Sequence, residues 1–393
     1  MATNRLAVLG GEPAFPDGLA FVRPSVPPLE RVTARLAPSY ERGMLTNGPL
    51  VRELEGEAAV RLGVDHVVAV SSCTAGLMLA LRALQLEGPV IVPSFTFSAS
   101  AHAVAWNGLD PLFVECDPTS LQVDTDAVAA DIAGAGAVLA THVFGAPCPA
   151  ETLETMAGAA GIPVVFDAAH GFGATRGERR VGTFGAAEVF SMSPTKVVVA
   201  GEGGLVATND SDLAASVRIG RDYGNPGDYD TLFVGLNARQ SELHAAVALE
   251  SLAGLDQRLE RRRSVAQRYR EALVTVPGVT VQRIDSGDTS TFKDFTIMVT
   301  EKEFGLSRAE FLHALRADGI DTRCYFSPPL HRQQSYAKLA ERNLPVTDAV
   351  AAKVVSLPIY EALSDSDVDR VSATIHALHQ HAGDVRAAIV SES

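Results

Sequence analysis

The sequence predicts an α/β protein with a large domain, built on a mostly parallel sheet, and a smaller C-terminal α+β domain. Between residues 66 and 166, short apolar runs alternate with segments of helical periodicity, the pattern of a parallel sheet covered by helices on both faces. Beyond residue 240 this alternation gives way to long charged helical segments. A chain of 393 residues, 47% of them hydrophobic, can fill two cores.

The first part of the chain is expected to form an arm and then alternating strands and helices. Residues 1–30 are rich in proline and glycine, which favours an extended arm. Helices are expected at 29–41, 50–62, 75–84, 99–106, 124–132 and 150–160. Strands are expected at 67–70, 90–92, 111–114, 137–141 and 164–166, and a further strand is expected to end at 189–191.

The second part of the chain is predicted to hold a smaller domain. Residues 240–275 read as one long helix that bridges the two domains, with a solvated charged face at 258–263. A strand at 292–299 and helices at 308–317 and 363–381 follow, the last with Ser364 as N-cap and Asp367 three residues on. We therefore expect a large domain at 1–251, including the arm, and a small domain at 252–393.

Charge and composition exclude several functions. The net charge is −14, whereas a protein that binds a nucleic-acid backbone needs a basic face, so we expect no nucleic-acid partner. The four cysteines form no C-x-x-C pair, which is typical of a reducing compartment without structural zinc. No apolar run approaches the ~20 residues of a membrane helix. With no signal-peptide pattern either, we expect a cytoplasmic protein that does not bind membranes.

Four segments fall at the ends of predicted strands, where ligands bind in open α/β sheets. The first, residues 71–75, combines backbone amides at a helix N-terminus with hydroxyl groups, which suits a phosphate; ordinary helix capping is the alternative. The second, residues 93–97, ends in Phe97, which can stack on a flat ring or pack in the core.

The third and fourth segments supply a carboxylate and a lysine. Asp167 follows an apolar strand, where burial is costly unless the carboxylate is paired, for example with a protonated pyridine nitrogen. His170 is placed to pack against such a ring, and a helix cap is the alternative for this segment. Burial of Lys196 beside the apolar run 197–199 would lower its pKa and make the amine a nucleophile, whereas an exposed loop lysine is the alternative.

Together these segments match the needs of pyridoxal 5′-phosphate (PLP): a phosphate cradle to which Ser191 adds a hydroxyl, a ring platform, an anion and a lysine. No G-x-G-x-x-G follows a strand and no P-loop motif occurs, so a dinucleotide or a nucleoside triphosphate is not favoured. The C-terminal histidines His376, His379 and His381 have no clear acidic or cysteine companion, and we expect no metal site.

In their order and spacing, several stretches resemble the DegT/DnrJ/EryC1/StrS family of PLP-dependent sugar aminotransferases, over nearly the whole chain. The stretches are 46–49, 72–75, 93–97, 167–170, 191–196, 201–204, 235–243, 329–331 and 356–360. The resemblance implies the type I fold of aspartate aminotransferase, with PLP bound to the large domain.

The resemblance also implies roles for individual residues. Lys196 would hold PLP as a Schiff base and then move a proton between two carbons, Asp167 would pair with the pyridine nitrogen, and His170 and Phe97 would contact the ring. Contacts to the phosphate are implied for the Cys73 amide, Thr74, Ser191 and, from the neighbouring subunit, Asn237. An active homodimer with shared sites is therefore expected. The segments that line the substrate side contain Thr46, Asn47, Arg239 and His331.

The resemblance is closest to amino-sugar branches of natural-product and antibiotic pathways. It implies transfer of the amino group of L-glutamate to the C4 ketone of dTDP-4-keto-6-deoxy-D-glucose, giving dTDP-4-amino-4,6-dideoxy-D-glucose, because the turn at 44–49 is similar to that of C4-aminating members. The alternatives are a C3 aminotransferase acting on a dTDP-3-keto-6-deoxyhexose and a non-catalytic PLP-binding regulator. The acidic charge argues against the regulator.

Three departures from the family pattern concern the sugar pocket. Cys73 stands where glycine is usual, Ala238 stands where an aromatic residue is usual, and residues 192–193 replace a commoner Phe-His pair. We expect these changes to reshape the sugar pocket and to leave the cofactor contacts intact. Lys196 itself argues against the sugar 3-dehydratase branch, which carries histidine at that position.

Overall fold

The structure is a computed structural model that describes residues 5–339 and 342–392. The strands, in chain order, are β1 (His66–Val70), β2 (Val90–Pro93), β3 (Pro111–Val114), β4 (Ala137–Thr141), β5 (Val164–Asp167), β6 (Thr175–Arg176), β7 (Arg179–Arg180), β8 (Ala187–Ser191), β9 (Gly204–Thr208), β10 (Val279–Val281), β11 (Phe295–Val299) and β12 (Val354–Leu357). The helices are α1 (Leu29–Glu41), α2 (Pro49–Leu62), α3 (Cys73–Ala83), α4 (Ser98–Trp106), α5 (Thr125–Asp131), α6 (Ala150–Ala160), α7 (Ser211–Gly220), α8 (Glu242–Ala253), α9 (Leu255–Leu273), α10 (Glu301–Phe304), α11 (Arg308–Ala317), α12 (Pro345–Ala351), α13 (Asp365–Gln380) and α14 (Ala382–Glu392).

The predicted mostly parallel sheet is confirmed. Over the described residues it has seven strands in the order β1-β9-β8-β5-β4-β2-β3. Strand β9 runs antiparallel to β1 and β8, and the remaining neighbours are parallel. Because β2, β4, β5 and β8 run in one direction, the residues that follow them meet at one edge of the sheet.

Both faces of this sheet are buried by helices. In β1, Val67 and Ala69 pack into one apolar cluster, which also holds residues of α2, α6 and α8. Val68 and Val70 point the other way, into a second cluster with residues of α3, α4 and α7. Successive side chains of a strand alternate between faces, so a strand buried on both sides must be apolar throughout. This explains the short unbroken apolar runs of the sequence.

The C-terminal part of the chain forms a separate core around the antiparallel sheet β10-β11-β12. Tyr269 of α9 stacks on Phe295 of β11 there, with ring centroids 4.9 Å apart. Part of the N-terminal arm joins the same core through Leu6, Val8, Phe15 and Leu19. Within α9, Leu259 still belongs to the large-domain cluster, whereas the side chains from Val265 onward belong to the C-terminal one. The domain boundary at residue 251 stays a prediction.

The single helix predicted over 240–275 is wrong. The chain forms α8 and α9 instead, with Gly254 between them as the C-cap of α8 and the N-cap of α9. Glycine weakens a helix because it gains the most backbone freedom outside it, and here it separates the two helices. The solvated face predicted for 258–263 is also wrong in part, because Arg262 is buried.

Other boundaries follow the predictions closely. The helix at 29–41 and the strands at 111–114 and 137–141 have the predicted limits. Helix α13 begins with the predicted cap, in which Ser364 and Asp367 form a reciprocal capping box. Strand β11 starts later than residue 292, because Phe292 has a φ of 46° and turns the chain before the sheet. No helix within the described residues is long and apolar enough to span a membrane.

Candidate active site

A cavity of about 340 Å³ lies at the edge where the parallel strands end. Its floor comes from the segments after β2, β5 and β8 and from the start of α3, and one wall comes from the C-terminal part of the chain. The predicted cofactor residues that line it are Cys73, Thr74, Phe97, Asp167, His170, Ser191 and Lys196. The structure therefore brings together seven side chains that the sequence places in separate segments.

One end of the cavity is suited to a phosphate. Ser72 caps α3, its hydroxyl accepting a hydrogen bond from the Ala75 amide at 3.1 Å. The amides of Cys73 and Thr74 lie in the first turn, where N–H groups have no partner within the helix. Strand β9 passes directly beneath, since a Cβ added to Gly204 would lie 2.6 Å from the Cys73 nitrogen. Free amides, the positive end of a helix and nearby hydroxyls together favour an anion.

Asp167 is the last residue of β5 and is only 3% exposed. Its Oδ2 accepts a hydrogen bond from Ser100 Oγ at 2.7 Å, and its Oδ1 accepts one from the Ala169 amide at 3.1 Å. These donors fix the orientation of the carboxylate at the cavity floor. Ser100 was not predicted, because its position on α4 carries no local motif and its contact with Asp167 spans 67 residues.

Lys196 lies in the turn between β8 and β9 and points into the cavity. Burial lowers the pKa of its amine from the usual 10.5 to about 8, and the positive charge of Lys293 acts in the same direction. This confirms the predicted direction of the shift. A much larger fraction of this amine than of an ordinary lysine is therefore neutral, and so nucleophilic, near neutral pH.

His170 contributes a neutral imidazole. Burial holds its pKa well below the ordinary value, and the charges of Lys196 and Lys293 lower it further. Its Nδ1 is buried and has no hydrogen-bond partner among the described residues. These three features fit PLP. The anion cradle suits its phosphate, the oriented Asp167 carboxylate suits its ring nitrogen, and the unpartnered His170 nitrogen suits a polar substituent of its ring.

Phe97 presents the aromatic surface expected of a ring platform. It follows β2, precedes α4 and keeps 58% of its surface exposed. The neighbouring Phe95, by contrast, is fully buried in an aromatic cluster. The core-packing alternative therefore applies to Phe95, and Phe97 is free to stack on a flat ligand.

The remaining predicted residues do not line this cavity. Asn237 is exposed and accepts a hydrogen bond from Arg239, which is paired with Asp222 at 2.9 Å. Thr46 and Asn47 are bound to the carbonyl of Gln240 on the turn before α8. The roles of Asn237, Arg239, Thr46 and Asn47 toward a cofactor or substrate stay predictions.

His331 has a different environment from the one expected of a substrate contact. Its side chain is almost completely buried, with Nδ1 2.7 Å from Ser94 Oγ and Nε2 3.2 Å from a carboxylate oxygen of Asp348. The ring thus ties the segment after β2 to α12. A role in substrate binding stays a prediction for this residue.

No sequence motif predicted the cavity wall that the C-terminal part of the chain contributes. It comprises Lys293, Asp294, Tyr325 and Phe326. Lys293 Nζ donates to Asp294 Oδ1 at 2.8 Å, and both side chains are buried. The one available signal was the adjacent Lys-Asp pair that interrupts the apolar pattern of residues 292–299. Sequence alone could not tell that this pair faces the ends of strands more than a hundred residues away.

Comparison with known proteins identifies the family. The model of the DegT/DnrJ/EryC1/StrS aminotransferase family matches residues 30–376. The chain belongs to this family. Spore coat polysaccharide biosynthesis protein SpsC of Bacillus subtilis is 32% identical over 353 residues, which cover 85% of this chain and 90% of that protein. The dTDP-4-amino-4,6-dideoxy-D-glucose transaminase of Escherichia coli is 29% identical, covering 89% of this chain and 96% of that enzyme.

A solved structure gives the same answer for the fold. The crystal structure of DesI in the presence of its TDP-sugar product is 38% identical, has a TM-score of 0.92, and covers 98% of this chain and 99% of DesI. These findings confirm the predicted type I fold, the enzyme class and the cofactor. This member of the DegT/DnrJ/EryC1/StrS family is a PLP-dependent aminotransferase.

Proposed function

We propose that this enzyme transfers the amino group of L-glutamate to the C4 ketone of dTDP-4-keto-6-deoxy-D-glucose, giving dTDP-4-amino-4,6-dideoxy-D-glucose. The observation that carries the proposal is the partly neutral Lys196 amine in a cavity that also holds the oriented Asp167 carboxylate. The C4 position is supported by the similarity to the dTDP-4-amino-4,6-dideoxy-D-glucose transaminase of Escherichia coli, and a TDP-sugar substrate is supported by the similarity to DesI, whose structure contains its TDP-sugar product. The reaction would serve amino-sugar biosynthesis, of the kind found in antibiotic pathways, in the cytoplasm.

Some residues of the cavity would bind the cofactor, and Lys196 would transfer the proton. The amides at the start of α3, with the hydroxyls of Thr74 and Ser191, would hold the phosphate. When bound, PLP carries the amino group and withdraws electrons from the carbon that loses a proton. Asp167 would balance the charge of the ring nitrogen, and Lys196 Nζ would take the proton from one carbon and return it to the other.

A homodimer with shared active sites is part of the same proposal. The loop that carries Asn237 exposes several large apolar side chains: Tyr223, Tyr229, Leu232 and Val234. Exposed apolar groups clustered on one loop favour contact with another protein surface. A second copy of the chain seated there would bury them and bring Asn237 toward the neighbouring cavity.

The function is tested by substitution of Lys196 in the purified enzyme. We expect L-glutamate to remove the visible absorbance of bound PLP in the wild type, and a dTDP-4-keto sugar to restore it. Lys196→Ala should lower turnover by about 100- to 10,000-fold, since general acid-base catalysis contributes that much. Product formation from the dTDP-4-keto and dTDP-3-keto substrates is compared by mass spectrometry.

The matched control is Lys302→Ala, a change of an exposed lysine on α10 that should leave turnover unchanged. Near-normal turnover in Lys196→Ala would contradict the assignment of Lys196. Faster conversion of the 3-keto substrate would favour the C3 aminotransferase over the C4 enzyme.

A further inference from the structure

The wall of the cavity formed by the C-terminal part carries an ion pair that the proposed chemistry does not use. Lys293 is 6% exposed and Asp294 is 2% exposed, and Lys293 Nζ donates to Asp294 Oδ1 at 2.8 Å. Nζ also lies 5.7 Å from the centre of the Tyr325 ring. A buried ion pair is weak evidence for stability, because desolvation of the two charges offsets their attraction. Its position at the cavity therefore calls for a functional explanation.

The pair is held in a fixed position. The buried guanidinium of Arg262 donates to the carbonyls of Phe292 and Lys293, at 3.1 and 3.3 Å. Next to them, the Thr291 hydroxyl donates to the His170 carbonyl at 2.6 Å, which ties this segment to the cavity floor. A charged group that is positioned before a ligand arrives loses little freedom on binding.

The pair, whose two residues line the cavity, also has unused hydrogen-bonding capacity. Asp294 Oδ2 is buried and has no hydrogen-bond donor among the described residues. Lys293 Nζ has three N–H donors, of which Asp294 takes one. A buried oxygen without a donor is costly unless a ligand supplies one. A ligand that fits this pair therefore carries a hydrogen-bond donor for Asp294 and, next to it, an anionic group for Lys293.

An amino acid presents these two groups on a single carbon. Among the described residues that line the cavity, the lysines are Lys196 and Lys293, and His170 is neutral because burial lowers its pKa. Lys196 is occupied by the chemistry, which leaves Lys293 as the cation for a substrate carboxylate. Its positive charge lowers the pKa of both Lys196 and His170, and all three side chains line the same cavity.

We propose that Lys293 binds the α-carboxylate of the amino-acid donor and that Asp294 Oδ2 accepts a hydrogen bond from the donor's amino group. In the second half of the reaction, the same oxygen accepts from a hydroxyl of the sugar, while Lys293 keeps its contact with Asp294 Oδ1. The same pair thereby binds a charged amino acid in the first half of the reaction and an uncharged sugar ring in the second. This inference rests on the proposed function, in which L-glutamate is the donor.

The test compares Lys293→Met with Lys293→Arg and with Lys302→Met, the exposed control, in the PLP-loaded enzyme. Calorimetry measures the binding of 2-oxoglutarate, which has the carboxylates but no amino group to react. We expect Lys293→Met to weaken this binding about 10- to 100-fold, the worth of a hydrogen bond between charged groups. Lys293→Arg should retain most of the affinity, and Lys302→Met should match the wild type.

A second measurement separates the two halves of the reaction. Single-turnover absorbance is followed with L-glutamate and with 4-aminobutyrate, which lacks a carboxylate on the reacting carbon. Lys293→Met should lose most of the preference for L-glutamate, because only that donor uses Lys293. The second half of the reaction, in which the enzyme has already received the amino group and reacts with the keto sugar, should change little.

Several results would overturn the inference. One is unchanged affinity for 2-oxoglutarate in Lys293→Met, and another is an equal loss with L-glutamate and 4-aminobutyrate, which would place Lys293 in the chemistry itself. If the wild type does not react with L-glutamate, the proposed function fails, whereas the calorimetric difference still supports a carboxylate site at Lys293. Should Lys293→Met not fold, Lys293→Gln replaces it with the same expected differences.

Discussion

At the scale of single residues, burial determines which groups of the cavity carry charge. It lowers the pKa of Lys196 to about 8 and keeps His170 neutral. It raises the pKa of the Cys73 thiol well above its ordinary value, and the nearby Asp167 carboxylate adds to this effect. Cys73 is therefore a thiol at neutral pH and no competing nucleophile. The cysteine that replaces the family's usual glycine at position 73 therefore does not compete with the Lys196 amine as a nucleophile.

The shift of Lys196 predicts a pH profile for cofactor uptake. Only the neutral amine captures an aldehyde, so covalent uptake of PLP by cofactor-free protein should rise with pH to about 8 and then level off. Lys293→Met removes a nearby cation and should move the midpoint upward. Stopped-flow absorbance measures the rate. A rate that keeps rising toward pH 10.5 would show an ordinary lysine.

The same shift has a consequence for stability, with a defined sign. Between pH 8 and 10.5 the unfolded chain keeps the proton of this lysine, whereas the folded, cofactor-free protein has released it. The folded state therefore gains stability from this group as pH rises through that window. In Lys196→Met this part of the pH dependence should be absent.

At the scale of elements, α9 connects the two cores and also supports the cavity wall. Its Leu259 packs in the large-domain cluster and its Tyr269 packs in the C-terminal one. Between them, Arg262 forms an ion pair with Glu361 at 2.9 Å and donates to the carbonyls that precede Asp294.

Replacement of Arg262 should therefore affect both stability and donor binding. Arg262→Met removes the ion-pair partner of Glu361 and a donor to three backbone carbonyls, and we expect the free energy of unfolding to fall by about 3–5 kcal/mol. Affinity for 2-oxoglutarate should fall as well, because the carbonyl of Lys293 loses the hydrogen bond from Arg262 that fixes this segment. Urea unfolding and calorimetry measure the two effects.

The matched control for this prediction lies on the same helix. Arg268→Met removes an exposed ion pair with Asp369, which solvent already screens, so stability should change little. Equal effects of the two substitutions would contradict the role assigned to Arg262.

At the scale of the whole molecule, the cavity lies where the ends of the large sheet meet the C-terminal part of the chain. The strand ends supply the cofactor contacts and the C-terminal part supplies the wall with Lys293 and Asp294. Asn237 lies outside the cavity of its own chain, on a loop with exposed apolar side chains. This arrangement is what the proposed homodimer requires.

Mixed dimers test the sharing of active sites. Lys196→Ala alone lacks the reactive amine. In the proposed homodimer, Asn237→Asp would place a negative charge against the phosphate of the neighbouring site. After random exchange of the two variants, half of the dimers should be mixed and each should hold one intact site. We therefore expect about a quarter of the wild-type activity to return. No recovery, with exchange confirmed by native mass spectrometry, would place Asn237 outside the partner's site.

The sequence by itself determined the local features of this protein. Apolar runs and helix caps predicted most elements, and residues directly after strands predicted seven side chains of the cavity, because chain direction places strand ends together. Motif order also identified the family. These are properties of short stretches and of their order along the chain.

Only the tertiary structure decided which distant residues complete the site. It placed Ser100 on Asp167, brought Lys293 and Asp294 to the cavity, buried Arg262 in a charged helix and packed the arm against the C-terminal core. It also showed that His331 is held between Ser94 and Asp348. The physical reason is that burial and charge pairing depend on contacts between residues far apart in the chain, and no local pattern encodes such contacts.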